Sequence, residues 1–311
     1  MKGQLLVSEM LAMPWAIRRE VLKSHAQVVA GWVARGNSDK KAFDDDYGEG
    51  RERISTFEAR RREANARVGA NYVSVIPVFG TIVQRAGMIT EWCGGTSTEN
   101  VSSALAEAVN DPNVSEVILD IDSPGGSVYG CQELAAEIFA ARDSIKITAI
   151  ANSLAASAAY WIGSQASEFY VTPGGEVGSI GVWMAHEDWS AAMAKAGIVV
   201  TTISAGDFKT EGNPYEPLPD EAKAFMQSRV DDYYRAFTSG VAQGRGVALA
   251  KVTGGMGRGR VLGAEAAIAE NMVDGVMTMG DLVRSKQAGT SVSGSRSRSR
   301  KAQRELELMS A

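Results

Sequence analysis

The chain reads as an α/β protein whose strands are mostly parallel. Two observations carry that reading. Between Asn71 and Ser285, short β-branched runs alternate with segments of helical period, the pattern of βαβ units. The composition is also globular: 45% of the 311 residues are hydrophobic, 22% are charged, and there are only 8 prolines. That length can bury a sizeable core.

The elements follow in order. Residues 10–35 carry an amphipathic helical pattern, with Pro14 suited to a first turn. Residues 35–67 hold nine Lys/Arg and eight Asp/Glu, and read as a solvated linker or loose charged helix. Tyr72–Phe79 is a strand. Thr98 is placed as the N-cap of a helix with Val101, Ala104, Leu105 and Ala108 on one face, stopped by Asp111-Pro112. Val117–Leu119 is a buried strand, 129–142 a helix, and Ile147–Ile150 a strand that runs into an Ala-rich helix. Phe169–Val171 and Val199–Ile203 are strands. A long helix spans Pro219–Ala242, with Met226, Val230, Tyr233, Phe237 and Val241 on one stripe. A helix over 263–271 and a strand over Met272–Val276 close the domain. The tail is of low complexity and holds six Lys/Arg against two Glu over 285–311. Three parts result: 1–70 is a helix and charged linker, 71–285 is the compact domain, and 286–311 is a basic tail.

Several functions are excluded early. A net charge of −5 argues against a whole-chain nucleic-acid binder, although the Ser295–Lys301 tract offers a weak electrostatic contact. The two cysteines, Cys93 and Cys131, form no CxxC and suit neither a disulfide scaffold nor a structural zinc site. Only two histidines, His25 and His186, are present, so a His-rich metal site is out and a Ser-His-Asp triad has few ways to form. No secretory signal is visible, because Glu9 interrupts the first apolar run. The uncharged stretch Ile147–Ser167 contains Asn152, Gln165 and four serines, too polar for a membrane span. The expectation is a soluble cytoplasmic protein without metal, cofactor or membrane partner.

Four segments could carry chemistry. Asp122–Val128 (DSPGGSV) follows a strand, and its Gly125-Gly126 pair allows unusual backbone angles and can turn N–H groups toward an oxyanion. It fits neither GxGxxG nor GxxxxGK[ST], so a nucleotide is disfavoured. Ser157 sits among alanines in Ala155–Trp161 (AASAAYW), where a strand gives way to a helix. Gly178–Val182 (GSIGV) is a glycine-flanked strand. Phe208–Pro214 (FKTEGNP) holds Lys209 in a loop. Taken singly, each has an ordinary reading: a turn, a helix-packing serine, close sheet packing, a surface cation. A nucleophilic serine needs a base, and the candidates are His186 or a lysine buried among apolar groups.

Together and in this order, with Gly259–Val276 (GRVLGAEAAIAENMVDGV) after them and Ser157 and Lys209 52 residues apart, these segments resemble the signal peptide peptidase A (protease IV) family of serine proteases. The resemblance covers about residues 72–285. It implies a Clp-protease/crotonase-like fold of repeated ββα/βαβ units, with an N-terminal arm and a C-terminal tail. It further implies Ser157 as nucleophile, Lys209 as general base, Ser179 orienting the lysine, and the N–H groups of Gly126 and Ala158 as the oxyanion hole. Gly125, Ser127, Ile180 and Gly181 would line a groove that binds substrate backbone by β-augmentation. One departure is Ala158 where the family commonly has glycine. The added flanks are more like the bacteriophage head-maturation branch. Its expected substrates are scaffold, portal or capsid proteins and the chain itself, cut by a homo-oligomer in the host cytoplasm or within the prohead. The alternatives are a cellular peptidase of the same family, a Clp-like Ser-His-Asp peptidase using His186, a crotonase-like acyl-CoA enzyme, and an inactive capsid or scaffold component.

Overall fold

The central strands are apolar on both faces, and this sets the architecture. In the computed structural model, which describes residues 11–34, 57–68, 73–86 and 95–287, two mixed sheets are built chiefly from parallel strands. In chain order the elements are β1 (Trp15–Ile17), α1 (Arg19–Ala34), α2 (Phe57–Val68), β2 (Val73–Phe79), β3 (Thr81–Val83), β4 (Gly95–Ser97), α3 (Thr98–Asn110), β5 (Glu116–Ser123), β6 (Gly125–Ser127), α4 (Cys131–Ala141), β7 (Lys146–Ala156) and α5 (Ala158–Gly163). They continue with β8 (Glu168–Val171), β9 (Glu176–Gly178), α6 (Ser190–Lys195), α7 (Asp220–Arg245), α8 (Leu249–Gly254), β10 (Val261–Gly263), α9 (Ala264–Ala269), β11 (Gly275–Val276) and α10 (Met279–Gln287).

The larger sheet has the order β10-β9-β7-β5-β2, with β8 beside the first half of β7 and β11 beside β8. Its strands are parallel except at β9–β10. Val117, Ile118, Leu119 and Ile121 of β5 are all fully buried, as expected of a strand covered on both faces. The smaller sheet has the order β1-β6-β3-β4, and the Ser123–Gly125 turn carries the chain from β5 into it.

Helices cover the large sheet with the faces their spacing predicts. α3 buries Val101, Ala104, Leu105 and Ala108, and Ser97, one residue before the predicted cap, accepts the Asn100 N–H at 3.1 Å. α7 ends at Gly246, in the left-handed conformation with φ 62°. Gly240 and Gly244 let α7 approach α5 closely: a Cβ on Gly240 would stand 2.5 Å from Trp161 Nε1. Trp161 stacks on Phe237 at 4.8 Å between ring centroids. Cys131 is a free thiol, pushed up to about 12 by burial and by Glu133.

Three expectations are corrected. Gly178–Val182 is not a strand: β9 ends at Gly178, because Ser179, at φ 55°, leaves the extended conformation. Pro14 does not open a helix; it precedes β1, and the helix starts at Arg19. The segment is extended because Trp15–Ile17 find backbone partners on both sides, which helical spacing alone does not reveal. Val199–Ile203 has strand composition but forms no strand. No described strand lies beside it, and Val199 and Ile203 are 89% and 93% exposed. α10 was not foreseen. Residues 35–56, Cys93 and the tail from 288 onward lie outside the described residues.

Candidate active site

Ser157 occupies the junction between β7 and α5. Its φ of 58° and ψ of −121° are rare for a residue with a side chain. Such a backbone persists only where its surroundings fix it. Here the Ser157 N–H donates to the Gly178 carbonyl at 2.6 Å, and the Ser157 carbonyl accepts the Trp161 N–H at 3.0 Å. The neighbours Ala155, Ala156, Ala158 and Ala159 are fully buried, and Ser157 itself is 1% exposed. A sharp strand-to-helix turn of this kind thrusts a serine hydroxyl out of the sheet. Ala158 is the first residue of α5, so its N–H is free of intrahelical partners.

The glycine pair lies against this junction. Gly125 has φ +99°, and a Cβ there would sit 2.8 Å from Ser157 Cβ and 2.9 Å from the Ala156 carbonyl oxygen. Gly126 pairs with Ile82 of β3, and a Cβ on it would stand 1.8 Å from the Ile82 carbonyl oxygen. Only glycine fits at either position. Ser123 pins the turn, donating to the Gly80 carbonyl at 2.6 Å and accepting the Gly125 N–H at 3.2 Å. Ser127 is buried, and its hydroxyl accepts the Tyr129 N–H at 3.2 Å.

β9 runs beside the end of β7, with Ala156 opposite Gly178. Ser179 therefore follows directly on the residue that binds Ser157. Its φ is 55°, and its N–H donates to the Arg260 carbonyl at 2.8 Å. Ile180 is buried and Gly181 half-buried. The structure thus gathers Ser157, Ala158, Gly125, Gly126, Ser127 and Ser179 with the start of the 180–185 run. It does not bring Lys209 into this group. Lys209 is exposed on a loop, and among the described residues no hydrogen bond joins its amine to Ser157 or Ser179. It lines a separate cleft with His186, Thr202, Asn213 and Tyr215. His186 Nε2 lies 2.9 Å from the Asn213 carbonyl oxygen and makes no hydrogen bond to Ser157. Among the described residues no cluster of His, Cys, Asp and Glu is arranged to hold a metal, and no helix is long and apolar enough to cross a membrane.

The serine at its strained junction and the GSIGV segment lie in a region that matches a known domain model, peptidase family S49, over residues 140–293; the glycine pair precedes it in the chain. The chain carries a peptidase family S49 domain. Two phage proteins are similar to it. Capsid assembly protease C of Escherichia phage lambda is 37% identical over 188 residues, 60% of this chain and 43% of that protein. Head-tail preconnector protein GP5 of Enterobacteria phage P21 is 37% identical over 194 residues, 62% of this chain and 39% of that protein. Protease 4 of Salmonella typhi is 27% identical over 191 residues, 61% of this chain and 31% of that protein. The match spans less than half the length of each of these three relatives.

The site also contains residues that the sequence reading missed. The groove edge expected to take substrate is filled by β1, and Trp183 faces β1 from the other side. The one sequence signal was the extended-favouring triplet Trp15-Ala16-Ile17, hidden inside a helical pattern.

Proposed function

We propose that the chain is a serine endopeptidase with Ser157 as nucleophile and Lys209 as general base, working in phage capsid assembly. The observation that carries this reading is the Ser157 junction: a buried serine at positive φ, backed by alanines and faced by two glycines that no other residue could replace. Ser157 Oγ would attack a scissile carbonyl while neutral Lys209 takes its proton. The oxyanion would form against the N–H groups of Gly126 and Ala158, and the protonated lysine would then supply the leaving amine. Ser179 would orient the lysine, and Gly125, Ser127, Ile180 and Gly181 would flank the substrate backbone. Similarity to a phage capsid assembly protease and a head-tail preconnector protein supports a role in head assembly; the proposed substrates are scaffold, portal or capsid proteins, cut in the host cytoplasm within the assembling head. Nucleic-acid contact by the basic tail is proposed on its charge alone.

A lysine acts as a base when it is drawn out of water. Lys209 is exposed in the single protomer, on the same stretch as Val199, Ile203 and Phe208, which are 89%, 93% and 59% exposed. We propose that a homo-oligomer covers this run and carries Lys209 to Ser157. Light scattering on wild type and Ile203→Asp checks this, with a fall in mass expected for the variant.

The dyad itself is tested on an unfolded protein substrate. Ser157→Ala and Lys209→Ala should each lower turnover by about 10⁴-fold or more, with circular dichroism unchanged. His186→Ala should retain activity. Near-normal turnover in Lys209→Ala rejects the dyad, and loss in His186→Ala favours the His-based alternative.

A further inference from the structure

Residues 14–18, extended over Trp15–Ile17, run between two backbones and end beside Ser157. On one side, β1 pairs antiparallel with β6: Trp15 opposite Ser127, Ala16 opposite Gly126, Ile17 opposite Gly125. The Arg18 N–H then donates to the Pro124 carbonyl at 3.1 Å. On the other side, Trp15 and Trp183 exchange both backbone hydrogen bonds, at 2.9 and 3.0 Å, and the Ala185 N–H donates to the Leu11 carbonyl at 2.9 Å. Trp183 Nε1 also donates to the Ile17 carbonyl at 3.0 Å. The segment is therefore held as an added strand, the way a protease holds an extended peptide.

The register singles out one carbonyl. Along a strand, successive carbonyls point to opposite sides. Those of Trp15 and Ile17 are taken by Trp183, so the Ala16 carbonyl faces β6. A point at the Cβ position of Gly125 lies 2.2 Å from the Ala16 carbonyl oxygen and 2.8 Å from Ser157 Cβ, so the two cannot be farther apart than the sum of those distances. The side chains lock this alignment. Trp15 and Ile17 pack with Leu11 and Leu22 in a cluster of their own, against Val21, Trp183 and Ala185. A slip of one residue would turn Trp15 and Ile17 out of that cluster. Ala16, fully buried, is the residue whose carbonyl is presented to the serine.

We propose that Pro14–Arg18 is an intramolecular substrate and that the Ala16–Ile17 bond is a self-cleavage site, cut by the chain's own Ser157. The proposal rests on the peptidase reading of Ser157. Ser157 Oγ adds to the Ala16 carbonyl carbon and its proton passes to Lys209. The bond to the Ile17 nitrogen breaks, and Lys209 returns the proton to that nitrogen. Residues 1–16 remain as an ester on Ser157 until water hydrolyses it, which leaves a carboxylate on Ala16 and restores the serine hydroxyl. The chain then begins at Ile17 with a free amine, and departure of the upstream piece opens the β6 edge to other polypeptides. Cutting in this way needs Lys209 to reach Ser157, so the uncut segment covers the site until that happens.

The test follows full-length wild type, Ser157→Ala and Ala16→Arg by intact mass and N-terminal sequencing, with hydrolysis of unfolded casein measured in parallel. Wild type should acquire an N-terminus at Ile17, with a half-time independent of protein concentration once light scattering shows the oligomer fully assembled, and casein hydrolysis should show a lag of matching length. Ser157→Ala, which removes one hydroxyl and should fold normally, should keep the bond intact; Ala16→Arg should lose the cut at Ile17. Casein hydrolysis that depends on Ser157 while residues 14–18 stay uncut overturns this proposal and leaves the peptidase reading standing. Uncut Ser157→Ala chains that acquire an N-terminus at Ile17 when mixed with wild type show cutting by another copy and overturn the intramolecular step. If wild type cuts neither casein nor itself, the peptidase reading fails and this proposal fails with it.

Discussion

Replacing Gly125 with alanine tests the packing at the glycine pair most directly. The new Cβ would lie 2.2 Å from the Ala16 carbonyl oxygen, 2.8 Å from Ser157 Cβ and 2.9 Å from the Ala156 carbonyl oxygen. All three are closer than a Cβ tolerates, and two belong to main chain. The φ of +99° adds its own strain for any residue with a side chain. A forced backbone conformation of this kind costs about 1–3 kcal/mol, and overpacking a tight site costs roughly another 1–3 kcal/mol. The sum is a loss of about 2–6 kcal/mol, a large share of the roughly 5–15 kcal/mol that holds a typical domain. At about 2–4 °C per kcal/mol for a domain of this size, the unfolding midpoint should fall by roughly 10 °C. Gly174→Ala is the matched control, because a Cβ there meets nothing within 4 Å; it should be neutral or stabilising by up to about 1 kcal/mol. Differential scanning calorimetry on both variants decides the matter. Equal midpoints for the two would refute the crowding and, with it, the close approach of Gly125 to Ser157.

Two further predictions concern the frame around the site. Asp274→Ala should destabilise by about 3–5 kcal/mol, since it strands a buried guanidinium: Arg245, 1% exposed at its side chain, holds Asp274 at 3.0 and 3.1 Å, and the same carboxylate accepts the Phe169 N–H at 2.8 Å. A loss below about 1 kcal/mol in urea unfolding would contradict that geometry. The docking of α1 should weaken in acid. Burial holds His25 below its ordinary value of 6.5, so the undocked form protonates first. Docking is fully stable above 6.5 and loses stability as pH falls from there to the lowered value, with no further loss beneath it. Hydrogen exchange over residues 19–26, corrected for intrinsic rate, should be faster below pH 6 than above pH 7; no change would show that the imidazole stays solvated.

The half of the fold around Ser157 was legible because its sequence signals are local. Apolar runs gave β2, β5, β7 and β8, since strands covered on both faces leave few other readings. The same holds for α3, whose buried positions Val101, Ala104, Leu105 and Ala108 are those its spacing predicts. The strand-to-helix junction at Ser157 was legible from its alanines, but on that segment alone a helix-packing serine is the ordinary reading, and only the order of the motifs singles Ser157 out. What failed depends on partners far along the chain. Trp15-Ala16-Ile17 is three residues long and becomes a strand only because Gly125–Ser127 and Trp183 lie on either side. Val199–Ile203 has the residues of a strand and, lacking a described partner, stays exposed coil. Lys209 was chosen by its motif, and a motif does not say whether a loop is folded against the serine in one protomer.

The N-terminal segment shows how a site can be closed by contacts that a single cut would undo. Leu11, Trp15, Ile17 and Leu22 are all buried, and at about 1.5–3 kcal/mol each they contribute roughly 6–12 kcal/mol of gross burial. Ordering the eight backbones of residues 11–18 opposes this by about 8–16 kcal/mol. The two terms are of one size, so docking leans on the hydrogen bonds to β6 and Trp183 and on the tether to α1. A cut after Ala16 divides the cluster, leaving Leu11 and Trp15 on the released piece and Ile17 and Leu22 on the body. The released piece no longer has the tether, and staying bound would then require it to surrender translational and rotational freedom at a cost of roughly 4–15 kcal/mol. Two apolar side chains and a short ladder do not meet that, so the piece leaves. The contacts that align the bond for cutting are thus too few to retain the product, and the edge of β6 opens only on a chain whose serine has already worked once.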